Sequence, residues 1–114
     1  EIRLSLVGSE MCIRDSLYYD HCLMNAWNMA LGADGGEPYD MLVLDEAIGA
    51  CNLGFVDEAG LVKALKEKPA ALEVILTGRC PSEALRDQAD YITEMVMRRH
   101  PYERGVGARE GIEY

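Results

Sequence analysis

The sequence is short of positive charge: 11 Lys and Arg stand against 20 Asp and Glu, giving a formal net charge of −9. A general nucleic-acid surface needs clustered Lys and Arg, so this balance excludes that partner class, yet one local cationic or Mg²⁺ site would still suffice for a nucleotide. Long apolar runs are missing as well. Nothing approaches the ~18 consecutive apolar residues of a membrane span, and no basic region followed by an apolar secretory segment opens the chain. The cysteines Cys12, Cys22, Cys51 and Cys80 form no C-x-x-C pair and no Cys/His cluster with zinc-ligand spacing. His21-Cys22 makes a poor metal arm, because adjacent helical residues point in different directions. Free thiols in a reducing cytoplasm, in a soluble protein with no membrane partner, are the expectation. At 114 residues the chain has the length of one domain and can bury a modest core.

What is present centres on residues 39–46, YDMLVLDE. Four apolar residues, Met41 to Leu44, stop abruptly at two carboxylates, Asp45 and Glu46. A short uninterrupted apolar run predicts a strand buried on both faces, as in parallel sheets. Acidic groups at the C-terminal end of such a strand lie where open α/β sheets bind ligands. In nucleotide-binding proteins with a phosphate loop this pattern holds Mg²⁺; apolar runs ending in Asp-Glu also arise by chance.

Residues 17–31 carry helical spacing through Leu23, Trp27, Ala30 and Leu31, with Trp27 expected to pack the helix on the sheet. Residues 32–38 (GADGGEP) read as a loop with Gly32 at the helix C-cap. Residues 47–55, small and Gly-rich, read as an irregular crossover. Asp57 predicts an N-cap, with Val56 and Leu61 as a staple; Leu61, Val62 and Leu65 form the buried face, Lys63, Lys66 and Lys68 the wet one, and Pro69 the end. Residues 72–77 (LEVILT) predict the next strand, with Gly78-Arg79-Cys80 at its end, and Ser82 caps a short helix to Gln88. The alternation across residues 91–97 predicts a third strand, and helices between strands imply parallel βαβ units. The six methionines read as core filling. From His100 on, glycines and mixed charge predict an irregular tail.

YDMLVLDE, LKEKP, VILTGR, ADYITEM and HPYERGVGAREGIEY come in the order and spacing of one family. Over residues 26–114 the chain resembles the ATP:corrinoid adenosyltransferases of the CobA/BtuR type. The tail is the most specific part, fitting H-P-[FY]-x-x-G-[IV]-x-A-x-x-G-I-[ED]-[FY]. The resemblance implies a RecA-like P-loop α/β fold and transfer of the 5′-deoxyadenosyl group from ATP to a Co(I) corrinoid in adenosylcobalamin biosynthesis or salvage. It implies Glu46 as the Mg²⁺-side carboxylate, with Asp45 holding a metal-bound water or capping the strand end. Thr77, Gly78 and Arg79 would meet phosphate, Arg79 through bidentate contacts, with an ion pair to a neighbouring carboxylate as its alternative. His100, Pro101, Gly105, Val106, Ala108, Gly111 and Ile112 would lie near the ligands in a tail closing over them. No protein nucleophile is needed, and homodimerisation of the parent enzyme is left open.

The chain departs from this family at one place. No G-x-G-K-G-K-[ST] phosphate loop occurs in it, nor the aromatic stretch the family uses near the corrinoid. Residues 1–16, which resemble translated sequencing-adapter read-through, are expected to be foreign and disordered, with an authentic strand at residues 2–7 as the alternative. The expectation is therefore an incomplete domain, the C-terminal part of an adenosyltransferase truncated in its gene model and inactive alone. The rival readings are a fragment of another P-loop ATPase and a non-catalytic interaction half-domain.

Overall fold

In the computed structural model, which describes residues 2–5 and 13–112, the apolar run forms β2 (Met41–Asp45), the middle strand of a three-stranded sheet. It lies between β1 (Ile2–Ser5) and β3 (Glu73–Leu76), parallel to both, with Leu42 opposite Val74 and Leu44 opposite Leu76. The chain is thus α/β with a small parallel sheet. Two βαβ units build it: α1 (Ile13–Ala30) joins β1 to β2, and α2 (Ala47–Asn52) with α3 (Glu58–Glu67) joins β2 to β3. The short α4 (Glu83–Arg86) follows β3.

One face of the sheet carries the core. Leu42 and Leu44 are fully enclosed with Leu23, Ala26 and Ala30 of α1 and Leu61 of α3. Burying each leucine contributes on the order of 1.5–3 kcal/mol. Trp27, Leu31, Val62 and Leu65 pack on the edge of this cluster, as their spacing predicts. The other face differs from expectation. Met41 and Val43 are only half-buried, and Ile75, the register partner of Val43, is 43% exposed. β2 is buried on one face because the core residues of α1 and α3 cluster with Leu42 and Leu44.

The helix ends follow local chemistry. Gly32 adopts φ +71° after α1, a left-handed value open to glycine, and a Cβ at this position would meet the Gly36 carbonyl oxygen at 2.7 Å, so the C-cap admits no side chain. Asp57 caps α3, its Oδ2 accepting from the Gly60 N–H at 3.1 Å, and Val56 and Leu61 are both buried. Ser82 caps α4 by accepting from the Leu85 N–H and also donates to Glu58 Oε1 at 2.8 Å, tying α4 to α3.

Four expectations fail for physical reasons. Residues 47–55 are not irregular: α2 is helical because Ala47, Ile48, Ala50 and Cys51 give it a buried side and small residues let it lie close on the sheet. Residues 91–97 are not a strand; a strand needs a hydrogen-bonded neighbour, and here Tyr91 and Met95 are 92% and 95% exposed. Four of the six methionines, Met24, Met29, Met95 and Met97, are exposed and so are not core filling. Lys68 is not wet: its Nζ donates to the Leu72 carbonyl at 2.8 Å and holds the turn into β3. Ahead of Leu17, β1 lies in register with β2 and α1 begins at Ile13. Residues 6 and 7 of the alternative strand, and Cys12, lie outside the described residues.

Candidate functional site

The C-terminal ends of β2 and β3 carry the five residues that the sequence singles out there: Asp45, Glu46, Thr77, Gly78 and Arg79. Past β2 the chain must turn sharply from strand into α2. Glu46 makes that turn with φ +58° and ψ +18°, left-handed values that cost an L-residue roughly 1–2 kcal/mol. Thr77, one residue past β3, stabilises the turn. Its hydroxyl donates to Asp45 Oδ1 at 2.6 Å and accepts from the Glu46 N–H at 2.9 Å. The Thr77 N–H donates to the Leu44 carbonyl, and its own carbonyl accepts from the Ile48 N–H, both at 3.2 Å. Asp45 is thereby engaged. The Glu46 carboxylate, half-buried, has no hydrogen bond or ion pair among the described residues.

The loop after β3 presses against α2. Gly78 sits at φ +140°, and a Cβ there would come within 2.7 Å of Ile48 Cβ and 3.1 Å of the Gly49 nitrogen. Only glycine allows this approach. Gly49 is less constrained: a Cβ on it would stand 3.3 Å from Glu46 Oε2, the end of a flexible side chain. Cys80 is also left-handed, at φ +55°. The Asn52 amide nitrogen donates to the carbonyls of Arg79 at 3.0 Å and Cys80 at 3.1 Å. Arg79 is exposed and makes no ion pair among the described residues, so its alternative role is not seen. Asn52 has no counterpart in the sequence reading. Its partners lie 27 and 28 positions away, and no local pattern marks such a contact.

The donors at this end are all oxygens: two carboxylates and a threonine hydroxyl. Among the described residues no group of three or more His, Cys, Asp or Glu could hold a metal by itself. His21 accepts or shares a hydrogen bond with the Asn25 amide at 3.1 Å, one helical turn on, and takes no part in a metal site. Cys22, Cys51 and Cys80 are free thiols. Burial, with the negative charges of Glu58 and Asp57 adding to it, pushes the Cys51 thiol up to about 11.

The tail residues are not brought to this site. His100, Pro101, Gly105, Val106, Ala108, Gly111 and Ile112 are all exposed. Pro101–Arg104 form a single 3-10 turn, which begins where His100 Nδ1 accepts from the Tyr102 N–H and ends where Gly105 turns left-handed at φ +78°. His100, Pro101, Val106 and Ala108 line a recess of about 150 Å³ together with Tyr102 and Gly107, and no strand-end residue lines it. A larger groove, about 330 Å³ between α1 and α3, has Trp27 and Leu61 on its walls and likewise lacks the strand-end residues. Among the described residues no helix is long and apolar enough to cross a membrane.

The site has recognisable relatives. A profile of the family described as ATP:corrinoid adenosyltransferase BtuR/CobO/CobP matches residues 15–114. The corrinoid adenosyltransferase of Sinorhizobium sp. is 39% identical over 90 residues, which cover 78% of this chain and 42% of that protein. Those of Pseudomonas aeruginosa and Escherichia coli K12 are 28% and 31% identical, over 78% and 77% of this chain and 44% and 45% of theirs. The chain therefore spans less than half the length of the curated relatives it matches. With the match running from residue 15 through the acidic strand end to the tail, the chain belongs to the ATP:corrinoid adenosyltransferase family.

Proposed function

We propose that these residues form the acidic and phosphate-facing wall of a site that transfers the 5′-deoxyadenosyl group from ATP to the Co(I) of a corrinoid. The observation that carries this reading is the Glu46 carboxylate, half-buried and unpartnered among the described residues, held in a left-handed turn at the end of a parallel strand in a chain of this family. Strained backbone at a polar position is a pointer to function. The fold in question is the RecA-like P-loop α/β fold, of which the β2–α2–α3–β3 unit would be the acidic-strand part.

In the reaction a cobalt–carbon bond forms at C5′ as the C5′–oxygen bond breaks, and triphosphate leaves with that electron pair. The protein has two tasks: to orient two large substrates and to stabilise charge on the departing triphosphate. The all-oxygen donor set suits Mg²⁺, which takes one or two carboxylates and fills its other positions with phosphate and water. Glu46 would hold it, and when bound it screens the triphosphate charge. Asp45 accepts from Thr77 and so fixes the turn that presents Glu46. Arg79 supplies a guanidinium for phosphate oxygens. The tail from His100 to Ile112 would fold over the substrates on binding.

The test is adenosyl transfer by the whole encoded protein, given Mg-ATP and a chemically reduced corrinoid. Turnover is expected, with Glu46→Gln cutting it by about 100-fold or more. ATP hydrolysis without adenosylation, left intact by tail substitutions, would instead point to a generic P-loop ATPase. The 114 residues alone contain no G-x-G-K-G-K-[ST] cradle for the triphosphate, so no turnover is expected from them; near-normal turnover would sink that statement. One observation favours a second reading, a non-catalytic interaction module: the apolar residues Tyr91, Ile92, Met95, Val96 and Met97 are all exposed. A chain that melts cooperatively as a monomer would count against it.

A further inference from the structure

We propose that Asn52 is a positioning residue, whose side-chain amide holds the loop after β3 so that Arg79 is presented to the triphosphate. This rests on the reading of Arg79 as a phosphate ligand given above. The Asn52 amide nitrogen carries two hydrogens, and it stands 3.0 Å from the Arg79 carbonyl and 3.1 Å from the Cys80 carbonyl. Carbonyls only accept, so the nitrogen and not the oxygen of the amide must face them. Both hydrogens are used.

The loop needs such a hold. Gly78 at φ +140° and Cys80 at φ +55° bracket Arg79 with left-handed backbone, which strand ladder bonds do not support. On one side of Arg79, Gly78 is pressed against Ile48 and Gly49 of α2. On the other side, Asn52 at the last turn of the same helix fixes two consecutive carbonyls. The Arg79 backbone is therefore pinned at both ends to one short helix, while its side chain stays exposed and free of ion pairs among the described residues. A pinned backbone with a free guanidinium loses less conformational freedom on binding an anion than a loose loop would.

The experiment measures binding of Mg-ATP, and separately of inorganic triphosphate, to the whole encoded protein by calorimetry. Losing two backbone-directed hydrogen bonds in Asn52→Ala is expected to weaken binding by about tenfold. Asn52→Asp keeps the volume but turns a carboxylate without hydrogens toward two carbonyls, and is expected to weaken binding at least as much. That variant also remains readable should Asn52→Ala melt below the assay temperature. In an Arg79→Ala background the Asn52→Ala change is expected to cost less than twofold, because Asn52 acts through Arg79. Near-native binding by Asn52→Asp would make Asn52 a space-filler and overturn the proposal. A full tenfold loss in the Arg79→Ala background would overturn it too. Unchanged binding by Asn52→Ala beside weakened Arg79→Ala removes the positioning role alone; unchanged binding by Arg79→Ala removes the phosphate reading and the proposal with it.

Discussion

Replacing Glu46 by glycine and by alanine separates its backbone role from its side-chain role. Glu46 is left-handed at φ +58°, where an L-residue loses roughly 1–2 kcal/mol against its preferred conformations. Alanine keeps that penalty and glycine escapes it. Glycine's greater freedom in the unfolded chain takes back about 0.4–1 kcal/mol. The net expectation is that Glu46→Gly is more stable than Glu46→Ala by ~0.5–1 kcal/mol, the reverse of the usual order of glycine and alanine in and around helices. For a chain of this size that is roughly 2–8 °C in melting temperature. The Glu46 carboxylate makes no hydrogen bond or ion pair among the described residues, so removing it costs the fold little on its own account. Function should respond differently. Both variants should lose Mg²⁺-dependent ATP binding equally, because neither carries a carboxylate. Stability gained where activity is lost is the behaviour of a residue strained for function. Thermal melts and ATP binding with and without Mg²⁺ read both quantities. A Glu46→Ala variant as stable as Glu46→Gly, or more so, would refute the left-handed turn. Undiminished Mg²⁺-dependent binding in either would refute the metal role.

Thr77→Val removes a donor to the Asp45 carboxylate and an acceptor for the Glu46 N–H; the loss should be about 2 kcal/mol by urea melts, with Thr77→Ser recovering most of it. Native stability in Thr77→Val would show that the hydroxyl bridge contributes nothing. Gly78→Ala places a methyl 2.7 Å from Ile48 Cβ and should destabilise by about 2 kcal/mol or more while weakening nucleotide binding; an unchanged melt would mean that α2 moves away freely. Thiol labelling at pH 8 should reach exposed Cys80 rapidly and buried Cys51 only on unfolding. The Cys51 thiol is raised from 9.0 to about 11, so the folded state holds its proton more tightly than the unfolded one. Its stabilising contribution is complete below pH 9 and is lost as pH rises toward 11. Replacing Cys51 with alanine should flatten that alkaline decline.

Much of this fold was legible because its signals are local. The Met41–Leu44 run, the Asp57 and Ser82 caps and the Gly32 C-cap each act within a few residues of themselves, and all are where their chemistry puts them. Long-range features were not legible. α2 looked irregular because its helicity depends on burying Ala47, Ile48, Ala50 and Cys51 against a sheet the local sequence does not contain. Residues 91–97 alternate like a strand, but alternation states only that two faces differ, and pairing requires a neighbour. The site divides in the same way. Asp45, Glu46, Thr77, Gly78 and Arg79 were visible as strand ends followed by polar groups. Asn52 was invisible because its partners are in another element.

α2 is the element through which these pieces act together. Its first turn receives Glu46 and donates from Ile48 to the Thr77 carbonyl; its middle, at Gly49, accepts the close approach of Gly78; its last residue, Asn52, holds the carbonyls of Arg79 and Cys80. Six residues thus connect the carboxylate end of β2 to the arginine end of β3. The connections are backbone contacts and short side chains, which leave little slack compared with long flexible ones. A shift of α2 by even a fraction of an ångström therefore moves the Glu46 turn and the Arg79 loop at once. Substitutions at Gly49 or Ala50, which touch no ligand in this reading, should then weaken the metal-dependent and the arginine-dependent parts of nucleotide binding together, whereas changes in α3 or α4 should spare both.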